Sequence, residues 1–548
     1  MATTMDGDAA AVIYLRGTVV SPGLARGPLV VLADEHQPPS HNRGNADEES
    51  SRLRTAVANA SVELAALMEG TGDTEAQTIL AFQVAMLADP VVIEAPLAAI
   101  ERGDSAEQAW CTAMDLQIRE YHEAEDLYFR ARASDLRDMR DRVRGKLRGT
   151  AATAIAPGSI VLATDLPPSR FLEIAWDGGG VALTQGSPNS HVAMLARSRG
   201  VPMLIGVEQA DLRGHTEALI DTDSALLVAS PGEALAADFA SRQQRAEMAR
   251  AEGERYVNAP ALTADGEHVQ VLLNVADGSE LERLDPACCD GIGLVRTELM
   301  LRDAADLANE EKQYQAYRRI LKWAGGRPVT IRMLDAGGDM PIAGYTVEGE
   351  TNPFLGMRGL RLSLLHPEAF ATQLRALARA ASLGPLKVMV PMVTAPRELD
   401  RVRVLLERAV PHLRKLGLEC AIPDLGMMVE VPAAALVVDS FDADFFSIGS
   451  NDLIQYVTAS SRDSSPLASL QDPLQPAVLR LIHQVVVHAD AQGIPVSLCG
   501  DMASDVRCVP ALLGVGLRCL SVAPSAVGSV KSAIARYRGA RPKGEQIA

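Results

Sequence analysis

From Val269 onward the chain alternates between short apolar runs and stretches with helical spacing. Eight runs stand out. They are VQVLLNV to Asn274, GIGLVRTE around Arg296, VTIRMLD around Arg332, LKVMVPM to Met392, MMVEVP at Glu430, FFSIGSND at Asp452, PVSLCGD at Cys499 and CLSVAP after Cys519. Eight alternating β and α units predict a closed (β/α)8 barrel, whose chemistry collects at the carboxyl ends of the strands. Those ends carry arginines, carboxylates, an amide and a thiol, a set suited to a phosphorylated anion, a metal and a proton donor.

The first half has another texture. Tyr14 to Leu32 holds two apolar runs around Ser21-Pro22-Gly23, expected as two strands or a β-hairpin. In the segment from Ala46 to Leu147, Leu53, Val57, Leu64 and Met68 follow helical spacing with charged residues between them. Three or four helices are expected there. Strand-like runs return from Ala156 (SIVLA, GGVALT, VPMLIG, EALID, ALLVA), and Glu233 to Tyr256 reads as one charged helix. The expected fold is multidomain α/β. Residues 1–35 and 149–231 form one small α/β domain, 36–148 a helical insert within it, 232–260 a linker helix, and 261–548 the barrel.

Length and charge narrow the classes. The 548 residues suffice for roughly three or four domains of about 150 residues. A net charge of −18 without a Lys/Arg block argues against a nucleic-acid partner. The start, MATTMDGDAA, lacks a basic segment before an apolar core, and no apolar run reaches the length of a membrane span. Seven cysteines without a C-x-x-C pair read as reduced thiols in the cytoplasm, with the adjacent Cys288 and Cys289 structural.

Candidate chemistry begins at Gly186-Ser187-Pro188-Asn189-Ser190-His191, which follows a strand and opens a helix ending near Gly200. Asn189 or Ser190 suits the N-cap, and Pro188 fits just outside the helix. His191 then falls in the first turn, where free N–H groups and the helix dipole favour an anion beside a neutral imidazole. The alternative is a surface histidine at a helix start. In the barrel, Arg296 and Arg332 close neighbouring strands. Arg462 lies in the loop after Asp452, and Arg358 stands in NPFLGMR. Guanidinium groups grip phosphate, although surface ion pairs are the ordinary use of arginine. Glu430 and Asp452 end successive strands and suit Mg²⁺, with a general acid/base pair as the alternative. The arginines are expected to keep both carboxylates ionised. Asn451 can donate to a substrate oxygen. Cys499, beside Gly500, can donate a proton or simply pack.

Taken together, GSPNSHVAMLARSRGVPMLIG, GIGLVRTELM, IRMLDAGGD, NPFLGMRGLRLSL, MVPMV, GMMVEVPAAA, FFSIGSNDLIQYVTASSRD and PVSLCGD resemble the phosphoenolpyruvate–protein phosphotransferases, Enzyme I of the sugar phosphotransferase system. The resemblance runs in order from VVSPGLARGPLVVL to the last strand, and DLYFRARASDLRDMRDRV resembles the family's carrier-docking helices. It implies a swivelling phosphohistidine domain, phosphoenolpyruvate bound with Mg²⁺ on Glu430 and Asp452, and phosphate held by Arg296, Arg332 and Arg462. Asn451 and, less directly, Arg358 would assist. His191 would be the nucleophile and Cys499 the proton donor giving pyruvate. An HPr-like carrier would dock on the insert, and the barrel would form a homodimer. No large ATP-grasp domain precedes Ala156, so a dikinase using ATP is disfavoured; a phosphoenolpyruvate-sensing regulator without turnover is the other alternative.

Several positions depart from the family pattern. Ser187-Pro188-Asn189-Ser190 replaces Gly-Arg-Thr-Ser, and Pro167 stands where a Thr bonds the histidine. Met340 replaces a Lys, Met357 a Trp, Ser461 an Asp and Asp501 a Glu. These bear on rate and carrier preference more than on reaction class.

Overall fold

In the computed structural model all eight runs are strands. Gln270–Val275, Gly291–Arg296, Val329–Arg332, Leu386–Val390, Asp424–Val429, Phe446–Gly449, Val496–Cys499 and Cys519–Val522 pair in parallel in that order, and the eighth closes on the first. The structure describes residues 12–32, 44–71, 74–123, 127–149, 154–186, 190–276, 278–282, 284–301, 303–338, 340–461 and 465–539. It divides into two compact units, Met1–Gln244 and Arg245–Ala548. The division falls inside the charged helix, which runs Glu233–Glu254.

A period of two along the barrel strands, broken in the second by a register shift between Ile292 and Val295, sorts the side chains into two cores. Ile292, Val295, Val388, Val390, Met427, Val429 and Leu498 pack against outer helices together with Ile320, Leu377 and Val402. The alternate residues Leu294, Met389, Met428 and Cys499 form a separate inner cluster with Phe445. Parity then decides what lies above that inner layer. Arg296 is two residues past Leu294, and Glu430 is two past Met428. Arg332 is in register with both Met389 and Arg296. The polar residues therefore cap a packed apolar plug at the carboxyl ends.

In the first unit an eight-stranded sheet pairs Ile13–Arg16 with Leu226–Ala229, Thr18–Ser21 with Met203–Ile205, and Leu24–Val31 with both Glu217–Asp221 and Ile160–Ala163. The expected hairpin at Ser21-Pro22-Gly23 is absent, and the two runs are three strands. A single residue, Gly17, separates the first two, too few to reverse a chain. At the second corner Thr222 takes both backbone groups of Gly23: its Oγ1 accepts the N–H at 2.7 Å and donates to the C=O at 2.9 Å. The chain is thereby pinned to a distant strand.

Between Val31 and Ile160 the described residues form five helices rather than three or four: Ala46–Gly70, Thr74–Ala88, Val91–Arg102, Ala106–Glu123 and Leu127–Arg148. The first begins with a capping box between Asn45 and Glu48. Leu53, Leu64, Leu80, Ile100, Trp110 and Met114 form their shared core. The fifth helix has two working faces. Leu136, Met139 and Val143 enter that core, whereas Asp135, Asp138 and Arg142 meet the α/β layer. Asp138 accepts from the Ser169 hydroxyl at 2.7 Å, the Ser169 N–H at 3.2 Å and the Gln83 amide at 3.0 Å. Arg142 donates to Ser169 and Glu173.

No single helix among the described residues is long and apolar enough to cross a membrane. One bent pair, Ile79–Ala88 and Val91–Arg102, passes by length and composition, but its Leu80, Leu87, Val92 and Ile100 are buried in the helical core.

Asp138→Ala should lower stability by about 2–4 kcal/mol in urea unfolding, because it leaves the buried Ser169 hydroxyl and N–H without their acceptor. A loss below about 0.5 kcal/mol, the size of an ordinary surface change, would contradict this account of the insert's attachment.

Candidate functional site

Two groups of residues carry chemistry, one in each unit. In the first unit the helix His191–Arg199 starts where the sequence predicts, with Ser190 as N-cap accepting from the Ala193 N–H at 3.3 Å and Gly200 in the left-handed region at its end. Ser187, Pro188 and Asn189 lie outside the described residues. His191 Nδ1 stands 3.2 Å from Asp135 Oδ1, and the Asp135 side chain is fully buried. Asp135 also takes Arg132 Nη1 at 3.0 Å. A buried carboxylate beside Nδ1 selects the tautomer that donates from Nδ1, leaving the lone pair on Nε2. Pro167 is the N-cap residue of the helix Pro168–Glu173. It has no hydroxyl to offer, and the ring's carboxylate partner comes instead from the helical insert.

In the barrel the centre is Arg358, 3% exposed. Its Nη2 reaches Asp335 at 2.9 Å, and its Nη1 and Nη2 reach the two Asp452 oxygens at 3.0 and 3.2 Å. Tyr456, which donates to Phe354 C=O at 2.5 Å, stands 3.4 Å from Nη1. Arg332 Nη1 pairs with the same Asp335 at 3.0 Å, and its Nη2 with Glu298 at 2.5 Å. Two arginines and three carboxylates thus form one continuous network. Gly359 permits it: a Cβ there would lie 3.0 Å from Asp335 Oδ1 and 2.9 Å from Met392 Cγ, at φ +56°.

Glu430, 1% exposed, stands just beyond the fifth strand and accepts the Met392 N–H at 2.6 Å. Met392 has φ +57°, a conformation few non-glycine residues adopt; it belongs to the same corner as that N–H. The sequence reading has the arginines keeping both carboxylates ionised. For Glu430 this is corrected. Burial first, then Asp452 and Asp335, push its carboxyl up to about 8, and Arg332 and Arg358 only partly oppose them. Negative charge here exceeds what the arginines neutralise. No cluster of three His, Cys, Asp or Glu suited to a metal occurs among the described residues. The donor chemistry nevertheless suits a hard divalent cation that completes its shell with substrate oxygens and water.

Asn451 and Asp501 bond reciprocally: the Asn451 amide donates to Asp501 at 3.1 Å, and the Asp501 N–H donates back to Asn451 Oδ1 at 2.9 Å. Gly500, at φ +103°, leaves the space; a Cβ would come within 2.7 Å of Asn451 Oδ1. Cys499 is 1% exposed. Its thiol donates to Ile448 C=O at 3.6 Å and accepts from Ser447 at 3.5 Å. Burial pushes it upward, against Ser447 and the charges of Arg332 and Arg296, so it stays protonated at neutral pH.

The structure brings Arg332, Arg358, Glu430, Asp452, Asn451 and Cys499 to one end of the barrel and places Arg296 beside Arg332. Arg462 lies outside the described residues, as does Asp339. Met340 closes a small bridge with Gly337. Sequence reasoning gave no role to Glu298, Asp335, Tyr456 or Asp135. The spacing offered a signal for each carboxylate. Asp335 follows Arg332 by three residues and Glu298 follows Arg296 by two, just past strand ends. Asp135, Asp138 and Arg142 recur on one helix face.

Glu430 holds its proton more tightly folded than unfolded, where the usual value is 4.5. Its stabilising contribution is therefore complete below that pH and is lost as pH rises through about 8. Glu430→Gln cannot ionise, so its melting temperature should gain on the parent's between mildly acidic and mildly alkaline pH. A difference that stays constant across this window would contradict the raised carboxyl.

Comparison with known proteins agrees with this layout. Residues 16–132 match the family model "PEP-utilising enzyme, N-terminal", residues 155–225 "PEP-utilising enzyme, mobile domain", and residues 250–538 "PEP-utilising enzyme, PEP-binding domain". The phosphoenolpyruvate-protein phosphotransferase of Cupriavidus necator is 35% identical over 95% of this chain and 94% of its own length. Those of Enterococcus faecalis and Bacillus subtilis are 33% and 31% identical, covering 95% and 90% of this chain. With a barrel that gathers arginines and acidic residues and a histidine at a helix start, the chain belongs to the phosphoenolpyruvate-protein phosphotransferase family of PEP-utilising enzymes.

Proposed function

We propose that this chain transfers the phosphoryl group of phosphoenolpyruvate to His191, releases pyruvate, and passes the group to a histidine of a small HPr-like carrier. The observation that carries the reading is the buried Arg332–Asp335–Arg358–Asp452 network, with Glu430 and Cys499, at the barrel's carboxyl end.

The substrate is a small trianion. Arg296, Arg332 and Arg462 bind its phosphate, and guanidinium forks suit the planar oxygen pairs. Asn451, aimed by Asp501, orients the ligand. Arg358 holds Asp452 in place through both of its carboxylate oxygens and is the weaker candidate for a direct contact with substrate. Glu430 and Asp452 would hold Mg²⁺, which when bound neutralises charge on the phosphate oxygens. Nε2 of His191 attacks phosphorus, the bridging P–O bond breaks, and enolate leaves. The protonated Cys499 gives its proton to the methylene carbon, completing pyruvate. Asp135 stabilises positive charge on the ring as the new N–P bond forms.

In the second half-reaction a carrier imidazole takes the phosphoryl group from Nε2. The helical insert supplies the carrier surface in this reading, because its fifth helix already holds the His191 ring through Asp135. The setting is the cytoplasm and the working form a homodimer through the barrel.

Phosphoenolpyruvate with Mg²⁺ should label the full chain with acid-labile phosphate, and His191→Ala should remove the label entirely. Asp135→Ala should slow labelling by about 10- to 100-fold, the range of a lost positioning partner. Labelling that survives His191→Ala would exclude this nucleophile. An Asp135→Ala rate equal to the parent's would exclude the positioning role.

A further inference from the structure

On the reading of Cys499 as proton donor, on which this inference rests, its thiol must be recharged before each new turnover. Its surroundings limit the source. The side chain is 1% exposed, and its own S–H is directed at Ile448 C=O. Among the described residues the one donor to its sulfur is the Ser447 hydroxyl, at 3.5 Å. Ser447 is itself fully buried. Its oxygen accepts from the Ser497 hydroxyl at 3.2 Å. Ser447 and Ser497 are register partners on adjacent strands, and Ser497 precedes Cys499 by two residues. The period of two that turns Cys499 into the barrel therefore turns Ser497 inward as well, one layer nearer the amino ends.

The file Ser497–Ser447–Cys499 runs along one wall of the apolar plug formed by Leu294, Met389, Met428 and Phe445. It leads from the chemical end of the barrel towards the opposite one. Ser447 is sealed, but Ser497 is half-buried. Lys387 stands in the same amino-end layer, two residues before the inward Met389. Its ammonium lies 5.2 Å from the centre of the Phe445 ring and has no carboxylate partner among the described residues. A charge without a counter-charge stays in water, so solvent reaches this layer. Packing alone does not ask for two hydroxyls here, since alanine would fill the wall without polar groups to satisfy.

We propose that Ser447 and Ser497 form a hydroxyl relay that carries a solvent proton from the barrel's amino end to Cys499 after each transfer. Once the thiol has given its proton to the methylene carbon, the Ser447 O–H bond breaks and an S–H bond forms. The Ser447 oxygen takes the Ser497 proton in the same motion. Ser497 takes one from hydronium or a buffer acid in the water at the amino end, and the conjugate base stays in solvent. Moving the protons together avoids an isolated serine alkoxide. One proton passes inward, both hydroxyls are regenerated, and nothing is oxidised or reduced. The two serines act through Cys499 and are positioning residues.

The test follows carbon and hydrogen in one reaction that needs no carrier. The full chain is incubated in ordinary water with Mg²⁺, unlabelled phosphoenolpyruvate, and pyruvate that is ¹³C-labelled and fully deuterated at its methyl group. Reversal moves ¹³C into phosphoenolpyruvate, and each reversal leaves a deuteron on Cys499. In the parent that deuteron should reach water before the next turnover. In Ser447→Ala and in Ser497→Ala the deuterium released per ¹³C exchanged should fall about tenfold or more, the scale of a lost positioning partner. The retained label should appear in pyruvate made from unlabelled phosphoenolpyruvate. Ser447→Thr keeps a hydroxyl and should restore the parent ratio. Should the sealed Ser447 position not tolerate alanine, the half-buried Ser497→Ala decides alone. A parent-like ratio in Ser497→Ala would overturn the relay. Absence of ¹³C exchange in the parent would instead refute the phosphotransfer reading beneath it.

Discussion

A buried charge must be answered by an opposite charge at fixed distance, and the barrel site is built around that rule. Arg358 is almost wholly out of water, so its guanidinium is tolerable only between Asp335 and Asp452. Asp335 is shared with Arg332, which in turn engages Glu298. Each residue's position is therefore set by another's charge. Asp452 is presented at one place because Arg358 contacts both of its oxygens. Electrostatic help of this kind speeds a reaction because it is oriented before the substrate arrives.

The same rule acts at His191. Asp135 is buried and lies between Arg132 and the imidazole. Its carboxylate decides which ring nitrogen keeps a proton and which keeps its lone pair. Glu430 is the exception that gives the site its capacity. Its neighbours leave an excess of negative charge, and a divalent cation with a phosphorylated ligand would redress it. The apolar plug of Leu294, Met389 and Met428 beneath the network keeps water from screening these charges from below.

Much of this was legible in the chain. The barrel strands announced themselves as apolar runs ending in polar or reactive residues, because a strand covered on both faces has no polar alternation to blur the signal. Ser190 and Gly200 marked the ends of the His191 helix by ordinary capping chemistry. What failed did so for tertiary reasons. The Ser21-Pro22-Gly23 corner looks like a hairpin locally, but Thr222, far along the chain, captures Gly23. Asp135 and Asp335 looked like two more acidic residues among seventy Asp and Glu. Asp335 does sit three residues past Arg332, but the pairings of these two carboxylates with His191 and Arg358 span long stretches of sequence and do not follow from spacing. The state of Glu430 was misjudged because the burial of a carboxylate beside two others cannot be read from a motif.

The most direct measurement is the linkage of the phosphoryl group, read by ³¹P and ¹⁵N NMR on the full chain after reaction with phosphoenolpyruvate and Mg²⁺. A carboxylate on Nδ1 predicts a single phosphohistidine at residue 191, joined through Nε2. Phosphate found on Nδ1, or divided between the two nitrogens, would contradict the assignment of Asp135 and with it the geometry proposed for the transfer.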